Sequence, residues 1–523
     1  MNKPLKIFLS YNVFISFFIV AVIADAQVIR RKEAPETVKE FRSGTPQYEH
    51  HIEPHKMDGI AKKTEYDKNL FLSDPIYKEE PYDAKAQIQV YGGKKAVPTV
   101  RPWIELGYPL YDEGPIGAGH DIIGRKNLVR PQFLVHGDFR TAVAFNDNGS
   151  LEVGQVASRL NLDLDFKITS TERIHALIRP FDNGARFTRA EFFGQDKDDN
   201  EVLLDAHIET IFFEGDLAYL QAGITDKYPK YDLPIAFGLM PLFLQNGIWV
   251  EDAFVGFSAA IPSRNSPKFD ISNYDISAFV GFNEVETPAI VKSNGELDEH
   301  AADIYGVTWF ADMREGHLEA SYGYLDDTRD ADAGFDYHSV VVGWTKRYRG
   351  KLSNSIRVLG NFGQEPDNNA IQTADGLVVL LENSLITSKP SFVVPYANFF
   401  AGFDRPLPFA RGGTGILKNT GINFETDGLT GFPKITDTAQ DSWGGAVGIE
   451  YLFFPTQQLV LEVATVQPYG GSSDTIAGPE VAFGIRYQKN LSEEWILRTD
   501  AMFAHRENND NLTGVRVELR LKF

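Results

Sequence analysis

The last nine residues constrain this chain more than any other stretch. Val515, Val517, Leu519, Leu521 and Phe523 fall on one side; Arg516, Glu518, Arg520 and Lys522 fall on the other. A period of two is the mark of a β-strand with one apolar face and one wet face. The pattern recurs upstream. Leu160, Leu162, Leu164, Phe166 and Ile168 alternate with Asn161, Asp163, Asp165 and Lys167. Similar alternation runs through 202–209, 459–465, 481–488 and 495–503. Weaker candidates lie near 133–145, 172–180, 186–193, 216–225, 234–240, 253–260, 274–283, 303–313, 316–325, 336–347, 352–363, 376–387, 391–402 and 442–453. Some of these must be halves of one bent strand, or short strands within loops.

One-faced strands can close on themselves in two ways. A soluble sheet buries its apolar face and wets the other. A membrane barrel inverts the object, apolar outside and wet inside. One strand cannot distinguish them, so the rest of the chain must. Mean hydropathy is −0.24. Beyond the N-terminus no run approaches the ~18 apolar residues of a spanning helix. The 45 Gly, 38 Phe and 21 Tyr suit tight turns, crowded walls and interfacial aromatic belts. With no Cys, disulfides, thiolate metal sites, Cys nucleophiles and covalent c-type haem are excluded. A net charge of −21 argues against nucleic acid as a partner.

The N-terminus reads as an export signal. Lys3 and Lys6 precede a largely apolar stretch, Ile7 to Ala24, and Ala24-Asp25-Ala26 has the form of a cleavage site. Residues 1–26 are expected to be a signal peptide, with a retained anchor as the alternative. Residues 27–130 are expected to be a periplasmic extension, partly disordered. Arg30 to His55 is charged, rich in Pro and His, and without periodicity. His50, His51 and His55 are the best metal candidates, but Pro54 opposes the helix that would align them. From Lys85 to Tyr111 the composition suits a docked segment. Gly117-Ala118-Gly119 and Gly124 lack the following Lys-Ser/Thr of a phosphate-binding loop.

The connections alternate in kind. Tyr348-Arg349-Gly350-Lys351 and Asn490-Leu491-Ser492-Glu493 are short; 262–273, 284–302, 326–334, 404–441 and 468–477 are long and polar. With the terminal Phe523 and the serial strands, residues 131–523 resemble the outer-membrane porin-like barrels of Gram-negative bacteria. Phosphate-selective porins and alginate-export-type barrels both remain open as relatives. The resemblance implies an all-β, transmembrane, antiparallel up-and-down β-barrel of about 18 strands, 16 being next. It also implies an outer-membrane location, contact with lipid, and delivery to the barrel assembly machinery through the C-terminal strand. A homotrimer or a periplasmic partner would fit such a barrel.

In a pore the chemistry is the field in the lumen. The wet-phase cations Arg140, Arg159, Lys167, Arg173 and Arg179 come early; Arg486, Arg498, Arg516 and Arg520 come late. First and last strands are neighbours in a closed barrel, so the two groups are expected on one wall. Arg forks there could guide carboxylate or phosphate groups. Asp163, Asp165, Asp500 and Glu518 lie among them, so local neutralisation is the competing expectation. The long stretch 404–441, with Asp404, Arg405, Arg411 and Lys418, is expected to fold inward as a constriction, or outward as a lid. No metal site, cofactor or catalytic group is expected. In Tyr337-His338-Ser339, adjacent strand residues point to opposite faces and cannot act as base and nucleophile together. Gly-x-Ser-x-Gly is absent. The function expected is a porin-like channel for passive diffusion of small hydrophilic or ionic solutes, not an enzyme. Two alternatives stand beside it: a barrel component of an export or electron-conduit complex that binds a periplasmic partner through 27–130, and a secreted soluble β-rich protein.

Overall fold

The computed structural model describes residues 99–523, apart from 112–116, 184–185, 195–199, 293–295, 330–333, 367–370, 414, 427, 455 and 472–475. The signal segment 1–26, the three histidines at 50, 51 and 55, and most of the extension 27–130 lie outside the described residues.

Eighteen wall positions close into one antiparallel barrel. In chain order they are β1 (Gln132–Asp147), β2 (Glu152–Lys167), β3 (Arg173–Arg179), β4 (His207–Asp216), β5 (Pro234–Leu244) and β6 (Val250–Ser266). Next come β7 (Ile271–Asn283), β8 (Ala302–Met313), β9 (Gly316–Asp327), β10 (Tyr337–Tyr348), β11 (Leu352–Phe362) and β12 (Asp375–Leu385). The last six are β13 (Val393–Arg405), β14 (Ser442–Phe454), β15 (Gln457–Pro468), β16 (Glu480–Asn490), β17 (Trp495–Arg506) and β18 (Leu512–Lys522). Each pairs with the next. The seam closes between β1 and β18, from Asp147 opposite Thr513 to Asp138 opposite Lys522. Closure leaves no long edge exposed to aggregation.

The β3 position is a bent strand in two pieces. The strand Arg173–Arg179 covers one half of β2, Lys167 facing Arg173. The strand Arg186–Gly194 covers the other half, Val153 facing Gly194. The alternation expected over 202–209 begins only at His207. Val202 and Leu204 stay exposed, because the Thr188 hydroxyl donates to the Leu203 carbonyl and accepts from its N–H. That pairing holds 202–206 as a loop.

Connection length orients the barrel. Short turns such as 267–270, 314–315, 349–351 and 491–494 lie at the end where β1 begins and β18 ends; 284–301, 363–374 and 406–441 lie at the other end. Short periplasmic turns and long outer loops follow this rule. One longer periplasmic connection, 217–233, carries α1 (Leu217–Thr225), capped by Asp216, whose carboxylate accepts from the Ala218 N–H. The strand Ile104–Gly107 pairs with the first residues of β1, along the line that β18 leaves when it ends. Its neighbour Trp103 meets the Phe523 ring edge-on at 5.7 Å.

Registers across the strands place Phe257, Val280, Tyr305, Tyr324, His338 and Phe362 in one row. Phe257, Tyr305 and Phe362 are exposed, as are Ile356, Leu381 and Phe399 in a lower row. These residues form the outward apolar band and an aromatic girdle near its outer edge. Among the described residues no helix is long and apolar enough to cross a membrane; the strands make the crossing.

Candidate functional site

The lumen has two unlike walls. Strands β16, β17, β18, β1 and β2 are consecutive around the barrel, so register alone brings the early and late cations together. Arg140 lies opposite Arg520 on one side and Arg159 on the other. Their charges are met locally. Arg140 makes a two-pronged contact with Glu518, at 2.9 and 2.8 Å. Arg520 lies 2.8 Å from Asp138. Arg486, Arg498 and Arg516 converge on one buried carboxylate, Asp500, each at 2.8 Å. Arg516 also lies over the Phe432 ring.

The early group follows the same rule. Arg159 pairs with Asp182 at 3.7 Å and lies over Phe187. Arg179 meets Glu209 at 2.5 Å. Arg173 pairs with Glu214 and, at 3.7 Å, Asp165. Lys167 is half-buried and, among the described residues, has no ion pair. The result is a ladder of alternating charge. Its buried members depend on one another, since removing one partner of a buried pair strands the other in low dielectric.

The opposite wall departs from a wet interior. On β6 to β13, Phe254, Ile304, Leu325, Val341, Leu359 and Phe400 face inward and are buried. The long connection 406–441 enters the lumen and packs on them. Phe409 stacks on Trp249 at 5.2 Å and meets Tyr337 edge-on; Phe424 meets Phe400 edge-on. Trp249 and Phe409 are fully buried, a large apolar area withdrawn from water.

Around Phe424 the same segment crosses to the charged wall. Glu462 of β15 accepts from the Ile422 and Asn423 N–H groups, the Asn423 side chain and the Tyr396 hydroxyl. Glu480 accepts from Thr436. Asn146 of β1 and Gln155 of β2 donate to the Thr430 carbonyl, and Arg486 reaches Glu425 at 2.8 Å. Small wall residues make room. A Cβ on Gly484 would lie 2.6 Å from Asn423, and one on Gly514 2.6 Å from Pro433. The segment therefore spans the lumen from wall to wall as an internal constriction.

The four cation and acid positions singled out in this stretch divide. Asp404 and Arg405 end β13 at the rim rather than opening the inserted segment. Asp404 is exposed; its N–H donates to the Asp441 carboxylate and its carbonyl accepts from the Asp441 N–H; the Arg405 guanidinium donates to the Gln372 carbonyl. Arg411 and Lys418 do enter the lumen, and both bind Glu251 of β6, at 2.6 and 2.7 Å. The Arg411 N–H donates to the Glu286 carbonyl. Burial and the nearby Glu299 push the Glu286 carboxyl above its ordinary value.

Below the inserted segment, toward the periplasm, a cavity of about 500 Å³ remains. Arg173, Glu214 and Thr171 line one side; Leu242, Leu244 and Phe279 line another. Glu462, Glu251 and Trp249 were not singled out from the sequence. Glu462 was visible as a wet-phase residue of a recognised strand, but nothing local marked it as an anchor. Trp249 reads only as an apolar residue at a strand end. His338 and Ser339 diverge as strand geometry requires: His338 meets the outward Tyr322 hydroxyl at 2.9 Å, while Ser339 accepts from the Trp249 indole at 3.0 Å. Among the described residues no group of carboxylates and histidines is placed to hold a metal.

A closed 18-position barrel with an apolar girdle outside and a long loop folded within is the fold of the porin-like outer-membrane β-barrels. No protein-family model and no curated protein matches the chain. Among solved structures it is similar to Pseudomonas aeruginosa OpdK, crystallised with vanillate, at 11% identity and a TM-score of 0.50, over 75% of this chain and 98% of that one. It is also similar to Acinetobacter baumannii OccAB2, at 14% identity and a TM-score of 0.50, with the same coverage. At such identities what is shared is the fold.

Proposed function

We propose that the protein is a channel for passive diffusion of small hydrophilic or ionic solutes across the outer membrane, not an enzyme. The observation that carries this reading is the division of the lumen, with the inserted segment bridging a charged wall and an apolar one. In the cavity below that segment a solute meets Arg173 and Glu214 on one side and Leu242 and Leu244 on another. The arrangement favours molecules with an ionic end and a small apolar body. That OpdK was crystallised with vanillate, an aromatic carboxylate, is in keeping with such a solute. The Arg ladder supplies forks for a carboxylate or phosphate, while its paired carboxylates keep the wall near neutral and the ion preference modest.

Planar-bilayer recordings test the reading. The purified barrel should conduct, and benzoate-type anions should reduce its current more than acetate does. A folded barrel without conductance defeats it. Replacing Arg159, Arg173 and Arg516 with Gln should shift the reversal potential toward cations; unchanged selectivity removes the ladder from the account. Removing residues 27–90 separates the channel from the export or electron-conduit reading: a plain channel keeps its conductance, whereas a complex component loses a co-purifying partner.

A further inference from the structure

Most guanidinium and ammonium groups lining the lumen are met by carboxylates. One group on the outer surface is not. At the periplasmic end, the 217–233 connection and the β6–β7 turn lie side by side. Lys227, Lys230, Arg264 and Lys268 sit there, and among the described residues none of the four has a carboxylate partner. Instead Arg264 lies over the Tyr231 ring at 4.2 Å, and Lys268 lies near the Phe269 ring at 5.6 Å. Asp226 is occupied by Lys126 at 3.2 Å. Asp232 and Asp270 lie on the same two connections, and the Asp275 carboxylate accepts from the Ser263 N–H beside Arg264, so the four cations still outnumber these three acids.

The aromatic side chains here are unusually bare. Tyr228 is 59% exposed, Tyr231 60% and Phe269 61%. They are continuous with the lipid-facing wall. Ile261 and Ile276 pair across β6 and β7 and are both exposed, and the next outward pair toward the periplasm is Arg264 and Tyr274. β5 begins only at Pro234, its Ile235 facing Ala259, whereas β6 runs on to Ser266. The 226–233 segment fills the position that β5 leaves, which sets Tyr231 against Arg264.

We propose that this patch binds the headgroup of an anionic phospholipid in the periplasmic leaflet of the outer membrane. Tyr and Phe settle where hydrocarbon meets headgroups. A cation stacked on a ring keeps its charge available to a second, anionic partner. Four cations, two of them over rings, immediately below a lipid-facing band complement a lipid phosphate in place and in sign. Arg264 and Lys268 hold the phosphate, Lys227 and Lys230 flank it, and Tyr231 and Phe269 seat the first acyl carbons. The assignment is independent of what the lumen carries.

The test uses the full chain, reconstituted in mixed phosphatidylethanolamine–phosphatidylglycerol vesicles, extracted in mild detergent and read by native mass spectrometry. The protein should retain phosphatidylglycerol in preference to phosphatidylethanolamine. Arg264→Gln should lower that preference about fivefold, the effect of one cation beside an anionic lipid surface. The set Lys227→Gln, Lys230→Gln, Arg264→Gln and Lys268→Gln should abolish it, with heat-modifiable gel migration showing that the barrel still folds. Tyr231→Ala with Phe269→Ala should reduce retention of both lipids. Equal retention of the two lipids by the unaltered protein overturns the proposal. So does unchanged preference in the folded quadruple variant, or a patch that holds a soluble acidic protein and no lipid.

Discussion

The charged wall and the apolar wall do the same structural task with different physics. Each holds one side of the inserted 406–441 segment. On the charged side the grip is directional: Glu462 and Glu480 receive N–H and O–H donors from residues 422–436, and Arg486 reaches Glu425. On the other side the grip is chiefly apolar, Trp249, Tyr337 and Phe400 against Phe409 and Phe424, with Arg411 and Lys418 on Glu251 and a short parallel pairing of 410–411 with 250–251 beside it. Hydrogen bonds set register; burial sets depth without specifying an angle. Using both, the barrel fixes a long segment that has little secondary structure of its own. The comparison suggests that the apolar wall carries the stability and the charged wall carries the selectivity.

Four changes test whether the two walls act separately. The largest effect is expected from replacing 409–436 with a short Gly-Ser link, which removes both contacts at once. Single-channel conductance should rise several-fold, and an unchanged value would mean that the current bypasses the segment. Next is Asp500→Asn, which leaves Arg486, Arg498 and Arg516 converging on a neutral amide. Loss of one partner in a buried cluster costs about 3–5 kcal/mol. Urea titration of the folded barrel should show it, with a reversal potential displaced toward anions in whatever fraction folds.

Trp249→Ala probes the apolar wall alone. Truncating a buried aromatic costs about 3–5 kcal/mol in a core that cannot collapse, and the Ser339 hydroxyl also loses one of its two donors, keeping the Asn361 amide. Stability should fall with ion selectivity unmoved; a changed selectivity would show that the two walls are not separable. The smallest effect concerns pH. The Glu286 carboxyl is raised above its ordinary value of 4.5 in the folded protein. The folded state therefore holds a proton that the unfolded state has released, so stability declines as pH rises from about that ordinary value through the raised one. Glu286→Gln should flatten this part of the pH–stability curve, as thermal unfolding at a series of pH values would reveal.

Much of the barrel was readable from alternation. The C-terminal strand, the strand from Leu160 and the three strands between 459 and 503 have the phase expected of them, because lipid on one side and a lumen on the other impose a strict period of two. The strand count of 18 required recognising 172–180 and 186–193 as halves of one wall position, and 216–225 as the helix Leu217–Thr225 and not a strand. The misread start at 202 shows the limit of the method. Val202 and Leu204 have the right period, but the Thr188 hydroxyl takes the Leu203 backbone. A contact across fourteen residues of intervening chain leaves no local trace.

The lumen was less legible. That Arg140, Arg516 and Arg520 share a wall followed from closure alone, since the first and last strands must meet. That Asp500 gathers three guanidinium groups did not follow, for it depends on rotamers and on which neighbours are absent. The apolar wall was invisible for a simpler reason. Phe254, Ile304 and Leu359 read as ordinary strand hydrophobics, and a strand does not state whether its apolar residues face lipid or a folded loop.

By itself, the sequence determined a closed sheet of one-faced strands, its up-and-down order and the wall on which its cations meet. Those are consequences of local period and chain connectivity. Tertiary contacts alone decide that 406–441 turns inward, that one side of the lumen is largely apolar, and that, among the described residues, four cations at the periplasmic edge have no carboxylate partner. Each of these depends on contacts between residues far apart in the chain, where packing and desolvation rather than pattern set the energy.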